Sequence, residues 1–557
     1  MTTQENSGQM ALGQFEIAAA LANNQADNID RSHEIFRLQR NPETFEVTVE
    51  SDVTLEDYRA GTDPELWGLV EDFVKPIEGQ TVVFINPTME GGGVAIMRPA
   101  LIHMLKKLGV DARWFVMKGK DNPADPTEPD PFTYTKLMHI ISHRQGGDAR
   151  IDKAGKNLHH TWAVERNGAV LLQQDAVLNA DFIVIDDPQP APLIRPIMQA
   201  NPKAKMVWRN HIDTHHGLMS DPTTPQGEVA SYLLDECGVR DVHAVVAHPV
   251  DLFLHPGMED KTFFAPATID PFDNLNRHLN EKEVAEGIDF INGEITSYNA
   301  TMMAEGRTAD VVQLLDTEPS RKRITLVARF DEAKGMDKAM EMGYLVRQKL
   351  RASGVSEAEL PEVVIVGNGS VDDPSGPMMF ERMLKIRRER FADDADGIIL
   401  MRLKHNYDVM NALVSRSTIM MQTSDAEGLE TRVSDAIAHG KPIVISNRGG
   451  MKTQVIEGQS GIILDYDAPG HDLERGADWM VELLADDEKY QSMVASTIEA
   501  ARFHNLREFT TVSNSIRWLR VFGHLLAGRE ADKVWLLRDL LAHKQASQVT
   551  MGQLSLN

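Results

Sequence analysis

The stretch at 422–447, QTSDAEGLETRVSDAIAHGKPIVISN, runs from the end of one apolar segment through an acidic, glycine-containing turn into a short helical pattern, then into a second apolar segment. Strand, turn, helix and strand in that order make one unit of a parallel α/β sheet. Glu427 and Asp435 stand eight residues apart across the turn, with Arg432 between them. In open α/β sheets ligands bind beyond the carboxyl ends of the strands. The turn is therefore a place to look for chemistry.

The same alternation extends in both directions. RITLVARF (323–330), EVVIVGNG (362–369), GIILMRL (397–403) and TIMMQTS (418–424) read as strands upstream of KPIVISN (441–447). An earlier array holds TVVFINPT (81–88), DFIVIDDP (181–188), KMVWRNH (205–211) and DVHAVVAHPV (241–250). Near-continuous apolar runs of this kind belong to parallel sheets covered on both faces. After the GGG at 91–93, Val94, Met97, Leu101, Met104, Leu105 and Leu108 trace one helical face. Pro99 either bends the first turns of that helix or marks its start. Residues 271–320 are more polar, carry no strong strand and read as helical structure leading to a domain boundary. The expected architecture is α/β with two doubly wound, Rossmann-like domains. A mobile arm (1–50) precedes an N-terminal domain (51–310) and a C-terminal domain (311–510). The helices of 511–557 carry an apolar stripe of Ile516, Leu519, Phe522, Leu525 and Leu526 and are expected to pack back on the N-terminal domain.

A chain of 557 residues accommodates about two to four domains. Hydrophobic residues make up 42%, an ordinary globular composition. The 57 basic and 83 acidic residues give a net charge of −26, which repels phosphodiester backbones and argues against a nucleic-acid partner. Cys237 is the lone cysteine, so no intramolecular disulfide forms and a reducing compartment is expected. There is no secretory leader pattern and no uninterrupted apolar run of about 18 residues. The expectation is a cytoplasmic protein with no membrane partner.

Four clusters follow strands. In NPTMEGGGVAIM (86–97), Gly91, Gly92 and Gly93 let the backbone approach a ligand or simply make a tight turn. In ARFDEAKG (328–335), Arg329 and Lys334 are two cations at a strand end, suited to a phosphate or to a solvated loop. Gly367 in GNG is a weaker close-approach turn. In the opening stretch, Gly428, Leu429 and Glu430 lead into a helix whose first N–H groups can hold an anion, while Glu427 and Asp435 can accept hydrogen bonds from sugar hydroxyls. The dipole of a helix would favour the same acids without any ligand. The fourth cluster, IDDPQPAPLI (185–194) with WRNHIDTHH (208–216), gathers Asp186, Asp187, Gln189, Arg209 and His211. His211 and His215 have i, i+4 spacing, but there is no H-E-x-x-H, and Gly217 and Pro222 oppose a long helix. No metal and no cofactor are expected.

As a set, these segments resemble a known family. FINPTMEGGGVAIMRPALIHMLKKLGVDARWFVM (84–117), VIDDPQPAPLI (184–194), VWRNHID (207–213) and the upstream TLEDYR (54–59) are similar to the N-terminal domain of the trehalose synthases and trehalose phosphorylases. VARFDEAKGMD, VGNGSVDDP and the E-x7-D stretch resemble the family's donor domain. The likeness spans roughly 54–510. It implies the GT-B fold, two Rossmann-like domains facing across a cleft, and retaining, metal-independent glucosyl transfer. By the same resemblance Arg329 and Lys334 would bind the donor phosphate. Glu427 would contact the donor sugar, and Asp435 would stand where a ribose is held in nucleotide-sugar users. The glycine loop would approach the phosphate, and Asp186, Asp187 and Gln189 would line the sugar site. Retention is explained by same-face attack, so no protein nucleophile is named.

The departures from the pattern point within the family. Nucleotide-sugar transferases usually read E-G-F-G-L and end the motif with Glu. This chain reads E-G-L-E-T-R and ends with Asp435. Glu430 and Arg432, like IDDPQP and SDPTTPQGEVASYL (220–233), look more like the trehalose phosphorylases. Arg432 then either binds phosphate or pairs with Glu430 or Asp435. The leading expectation is reversible phosphorolysis of trehalose to glucose and α-glucose 1-phosphate. The alternatives are synthesis from NDP-glucose and glucose, a related transferase with another acceptor, and a non-catalytic sugar-binding protein. The expected partners are these small molecules, with a homodimer as the assembly considered.

Overall fold

The computed structural model describes residues 34–542 apart from 90–91, 121–124, 126–127, 145, 213–214, 250–252, 369–375, 468–471, 533 and 535. The chain divides into one compact unit of Arg31–Asp270 with Leu506–Asn557 and another of Pro271–Asn505.

The first unit is built on eight strands: β1 (Arg37–Arg40), β2 (Glu46–Glu50), β3 (Thr81–Asn86), β4 (Asp111–Val116), β5 (Phe182–Asp186), β6 (Lys205–Arg209), β7 (Ala244–Ala247) and β8 (Thr262–Phe264). Their spatial order is β1-β2-β4-β3-β5-β6-β7-β8. From β4 to β8 the sheet is parallel, while β1 and β2 pair antiparallel at one edge. The winding direction reverses between β3 and β5. Alternate residues explain why both faces need cover. Val83 and Ile85 of β3 enter one core with Ile183, Ile185 and Trp208. Val82 and Phe84 enter the other with Phe182, Val184, Trp518 and Phe522. Each such buried side chain contributes roughly 1.5–3 kcal/mol by leaving water. The helix Thr511–Leu526 supplies part of that second core: Trp518 meets Phe84 edge-on at 5.4 Å, and Phe522 lies 4.7 Å from Phe182.

The second unit carries six parallel strands: β9 (Arg323–Val327), β10 (Glu362–Asn368), β11 (Ile398–Leu403), β12 (Ile419–Gln422), β13 (Ile443–Ser446) and β14 (Gly461–Leu464). Their order is β11-β10-β9-β12-β13-β14, a doubly wound order, which reverses between β9 and β12. The helices Met336–Ala352, Gly376–Arg390 and Asp472–Ala485 join the sheet in one core.

Two expectations need correction. Part of the arm expected over 1–50 is sheet: β1 and β2 form a hairpin. Only Val47 and Val49 of β2 turn inward while Thr48 and Glu50 face out, and such a half-solvated edge strand does not stand out by apolar content. Residues 1–33 lie outside the described residues. The unit boundary falls at Asp270–Pro271 and not near 310. The helix Glu281–Ala304, opened by an Asn280–Glu283 capping box, belongs to the second unit. A Cβ on its Gly287 would stand 2.3 Å from the Cβ of Ala412, so the helix packs tightly on Tyr407–Arg416. Of the two expectations for Pro99, the start is excluded: the helix Gly93–Lys107 begins six residues before it and runs through it.

Candidate active site

In the second unit, the segments that follow β9 and β12 meet where the winding reverses. After β9 the chain makes a short 3-10 turn, Glu332–Lys334, capped by Asp331. Gly335 follows in the left-handed conformation (φ 57°), and a Cβ there would fall 2.1 Å from the Thr423 carbonyl oxygen. Only glycine allows this approach. Across it the Thr423 hydroxyl donates to the Gly335 carbonyl at 2.9 Å, and the Asp425 N–H donates to the Ala333 carbonyl at 2.7 Å. The turn after β12 is held from its other side by Gly449. Gly449 is also left-handed (φ 54°), and a Cβ on it would stand 1.8 Å from the Glu427 carbonyl oxygen. The neighbouring Gly450 N–H donates to the Gly428 carbonyl at 2.6 Å.

This scaffold delivers Lys334 between two carboxylates. Its Nζ lies 2.5 Å from Oε2 of Glu427 and 2.5 Å from Oε2 of Glu430. Glu427 also accepts from the Ser424 hydroxyl at 3.1 Å and from the Gly428 N–H at 3.1 Å. Glu430 caps the helix Thr431–Ala438, accepting the Arg432 N–H at 3.1 Å, and receives the Gln422 amide at 3.2 Å. Arg432 turns to Asp435, with Nη1 2.7 Å from Oδ2. The Gln454 amide braces the turn by donating to the Glu430 carbonyl and to the Ser434 hydroxyl.

The electrostatics follow from burial and pairing. Burial opposes the Lys334 charge, but the two glutamates outweigh it and raise the ammonium's pKa. The half-buried Arg329 is near enough for its charge to work the other way. Burial raises Glu427 in spite of Lys334. Burial also pushes Glu430 up, but Lys334 and the Arg432 N–H win and hold it at about 2. Asp435 is raised to about 6 by burial, against the pull of Arg432. One compact ammonium, a helix start and a set of convergent carboxylates can hold an anion beside a polyhydroxyl ligand.

In the first unit, the ends of β3, β5 and β6 gather a second cluster. Asp186 is fully enclosed with the Arg98 guanidinium against its carboxylate. It also accepts the Asn86 amide at 3.0 Å and meets His211 Nε2 at 3.2 Å. Burial would raise the Asp186 carboxyl, yet Arg98, His211 and Arg209 hold it at about 2. Burial lowers His211 to about 4. Arg209 is enclosed as well and donates to the Pro266 carbonyl at 3.3 Å. Asp187 takes the left-handed conformation (φ 67°), its carbonyl accepting the Trp208 indole N–H at 3.1 Å. The Gln189 carbonyl is fixed by His159 Nε2 at 2.7 Å, and His159 in turn meets the Tyr232 hydroxyl at 2.9 Å.

The expected site residues are thus placed unevenly. Lys334, Glu427, Glu430, Arg432 and Asp435 form one connected group with Gly428 and the buried Leu429. Gly367 is a residue of β10, and its missing side chain makes room for the Ala328 carbonyl, 1.9 Å from where its Cβ would be. Gly91 lies outside the described residues. Gly92 and Gly93 open the helix Gly93–Lys107 without a side-chain cap. Asp186 and Arg209 lie beneath the surface. His211 and His215 do not share a helical turn: the helix starts at His216, with His215 left-handed (φ 42°) at its cap. Among the described residues, no group of three or more His, Cys, Asp or Glu side chains is arranged to hold a metal ion. No helix there is long and apolar enough to cross a membrane.

Sequence reasoning missed Arg98, Asn86, His159 and Gln422. Arg98 had a readable signal, a cation set inside an otherwise apolar helix face. The other three carry none: Asn86 and His159 meet partners far along the chain, and Gln422 sits in an apolar strand whose pattern does not show that its amide turns to Glu430.

Comparison with known proteins fits this geometry. Residues 84–253 match the family described as trehalose synthase, N-terminal domain, and residues 321–486 match glycosyl transferases group 1. A trehalose phosphorylase of Pleurotus pulmonarius is 30% identical over 514 residues, covering 90% of this chain and 65% of the phosphorylase. The chain therefore spans about two thirds of that relative's length. A trehalose synthase of Pyrococcus horikoshii is 26% identical over 475 residues, covering 85% of this chain and 96% of the synthase. Among solved structures, a UDP-forming α,α-trehalose-phosphate synthase from Burkholderia vietnamiensis shares the fold with a TM-score of 0.54. It is 13% identical, over 81% of this chain and 99% of that one. The chain has the GT-B glycosyltransferase fold and is related to the trehalose phosphorylases and trehalose synthases.

Proposed function

We propose that this protein is a retaining, metal-independent α-glucosyltransferase of the cytoplasm that catalyses the reversible phosphorolysis of trehalose. The observation that carries the reading is the Lys334–Glu430–Arg432 group. Where nucleotide-sugar transferases have glycine, this chain places a carboxylate 2.5 Å from the phosphate-binding lysine, with an arginine two residues on. An orthophosphate needs cations and N–H donors but no nucleotide pocket.

In the forward direction a phosphate oxygen forms a bond to the anomeric carbon on the face from which glucose departs. The glycosidic C–O bond breaks, and the departing glucose oxygen takes the proton from phosphate. In reverse, the leaving phosphate takes the acceptor's proton. Lys334, Arg329 and Arg432 stabilise the phosphate charge, and preorganised charges of this kind act without reorganisation cost. Glu427 orients the glucosyl hydroxyls. In the first unit, Asp186, Asp187, Gln189, Arg209 and His211 are our candidates for sugar binding, with Gly92 and Gly93 at the start of their helix. The units we assign as domains are 31–270 with 506–557, and 271–505.

A second reading, synthesis from NDP-glucose and glucose, is supported by the likeness to the Pyrococcus horikoshii trehalose synthase, 26% identical over 475 residues. The deciding experiment incubates purified protein with trehalose and inorganic phosphate and measures α-glucose 1-phosphate. Phosphate-dependent product establishes the first reading. No product, with trehalose formed from an NDP-glucose and glucose, establishes the second.

A further inference from the structure

We infer that Glu430 is an internal stand-in for the incoming phosphate, which must displace it to bind. The inference rests on the phosphorolytic reading above and adds how that site is regulated. While the Arg432 guanidinium turns to Asp435, Glu430 engages an ammonium, a side-chain amide and a helix-start N–H at once. Its Oε2 takes the Lys334 ammonium at 2.5 Å and the Gln422 amide at 3.2 Å, while Oε1 takes the Arg432 N–H at the start of the helix at 3.1 Å. An ammonium, a side-chain amide and a helix-start N–H are the partners a phosphate oxygen requires. The Glu430 side chain is only 13% exposed, so water does little to screen these contacts.

Glu427 reinforces the arrangement by holding the same Nζ from its other side at 2.5 Å. The groups facing Glu430 are Lys334 from the segment after β9, Gln422 and Glu427 from β12 and its turn, and Arg432 and Asp435 from the helix. Arg329 adds its charge near Lys334. With both glutamates ionised, Lys334 already faces more negative charge than it carries. A phosphate dianion reaches it only when Glu430 swings away or is neutralised. Glu430 therefore weakens phosphate binding in the resting site and sets which anions compete for it. A ligand binds in proportion to its advantage over the group it displaces.

The test is calorimetric titration of inorganic phosphate into the full chain and into Glu430→Gln at pH 7 and constant ionic strength. The amide keeps an acceptor for the Arg432 N–H and the same shape, but removes the negative charge that Glu430 holds against Lys334. Expected is phosphate binding about tenfold tighter in Glu430→Gln. Unchanged or weaker binding overturns the inference, since Glu430 would then serve to hold Lys334 in place. Absence of phosphate binding in both proteins overturns it as well. Thermal melting checks the fold. If the glutamine variant does not fold, Glu430→Ala is read by the same criterion. Tighter binding by the variant without α-glucose 1-phosphate from trehalose in either protein sinks the phosphorolytic reading and leaves the displacement itself standing.

Discussion

Lys334 Nζ and Glu427 Oε2, 93 residues apart in the chain, stand 2.5 Å from one another at the point where the second sheet reverses its winding. Adjacent strands β9 and β12 make that contact possible, and Gly335 removes the side chain that would block it.

Replacing Lys334 by alanine should lower turnover by about a hundredfold or more, the scale seen when a preorganised charge is removed. It should also cost about 3 kcal/mol of stability, because Glu427 and Glu430 lose their shared cation in a largely buried place. Lys334→Arg should not restore activity, since a planar guanidinium does not fit where one compact Nζ serves two carboxylates. Steady-state kinetics with urea unfolding of each variant checks both statements.

The Arg98–Asp186 pair makes stability sensitive to acid. Asp186 is held at about 2 against an ordinary 3.8. A lowered carboxyl contributes stability that is full above about pH 4 and is lost as pH falls through 2. The shift corresponds to about 2 kcal/mol. Asp186→Asn should remove that pH dependence and, by leaving Arg98 buried beside a neutral group, destabilise the protein by about 3 kcal/mol at pH 7. Urea midpoints between pH 3 and 7 read out both effects; equal slopes in the two proteins would refute the assignment.

Asp435 predicts a pH step in activity. Its carboxyl, raised to about 6 by burial, ionises only above that pH, and only then does it hold Arg432 as an ion pair. kcat/KM for phosphate should rise as pH increases through about 6. In Asp435→Asn the step should vanish, which a pH profile of both proteins decides.

Glycine substitutions should separate close approach from mere flexibility. Gly335→Ala puts a Cβ at 2.1 Å from a carbonyl oxygen at a φ of 57° and should lower Tm by several degrees. Gly449→Ala should do the same by pushing on Glu427. Gly293, in the helix Glu281–Ala304, has nothing within 4 Å of its Cβ position, so Gly293→Ala should raise stability by roughly 0.5–1 kcal/mol. Thermal melts of the three variants form the comparison.

Much of this molecule is written locally. The runs FIVID, IVIS and RITLV could only be strands covered on both faces, and their alternation with helical patterns required doubly wound units. Residues at the ends of these strands were legible as site candidates because such sheets bind ligands there. The edge hairpin β1–β2 was not legible, because a strand with one wet face has little apolar content to show. Nor was the boundary at Asp270, which follows from what the helix Glu281–Ala304 packs on and not from its composition.

The sequence by itself determined the fold class, the strand ends that matter, and the loop chemistry of Lys334, Glu427, Glu430, Arg432 and Asp435. Tertiary structure alone decided which of these groups are partners. Strand order sets β9 beside β12, so Lys334 meets Glu427 and Glu430, and it sets β3 beside β5, so Asp186 is sealed under Arg98. The reason is physical: apolar periodicity is a local property of the chain. The pairing of charges across a sheet depends on distances between residues about ninety positions apart, and only the packed strands fix those distances.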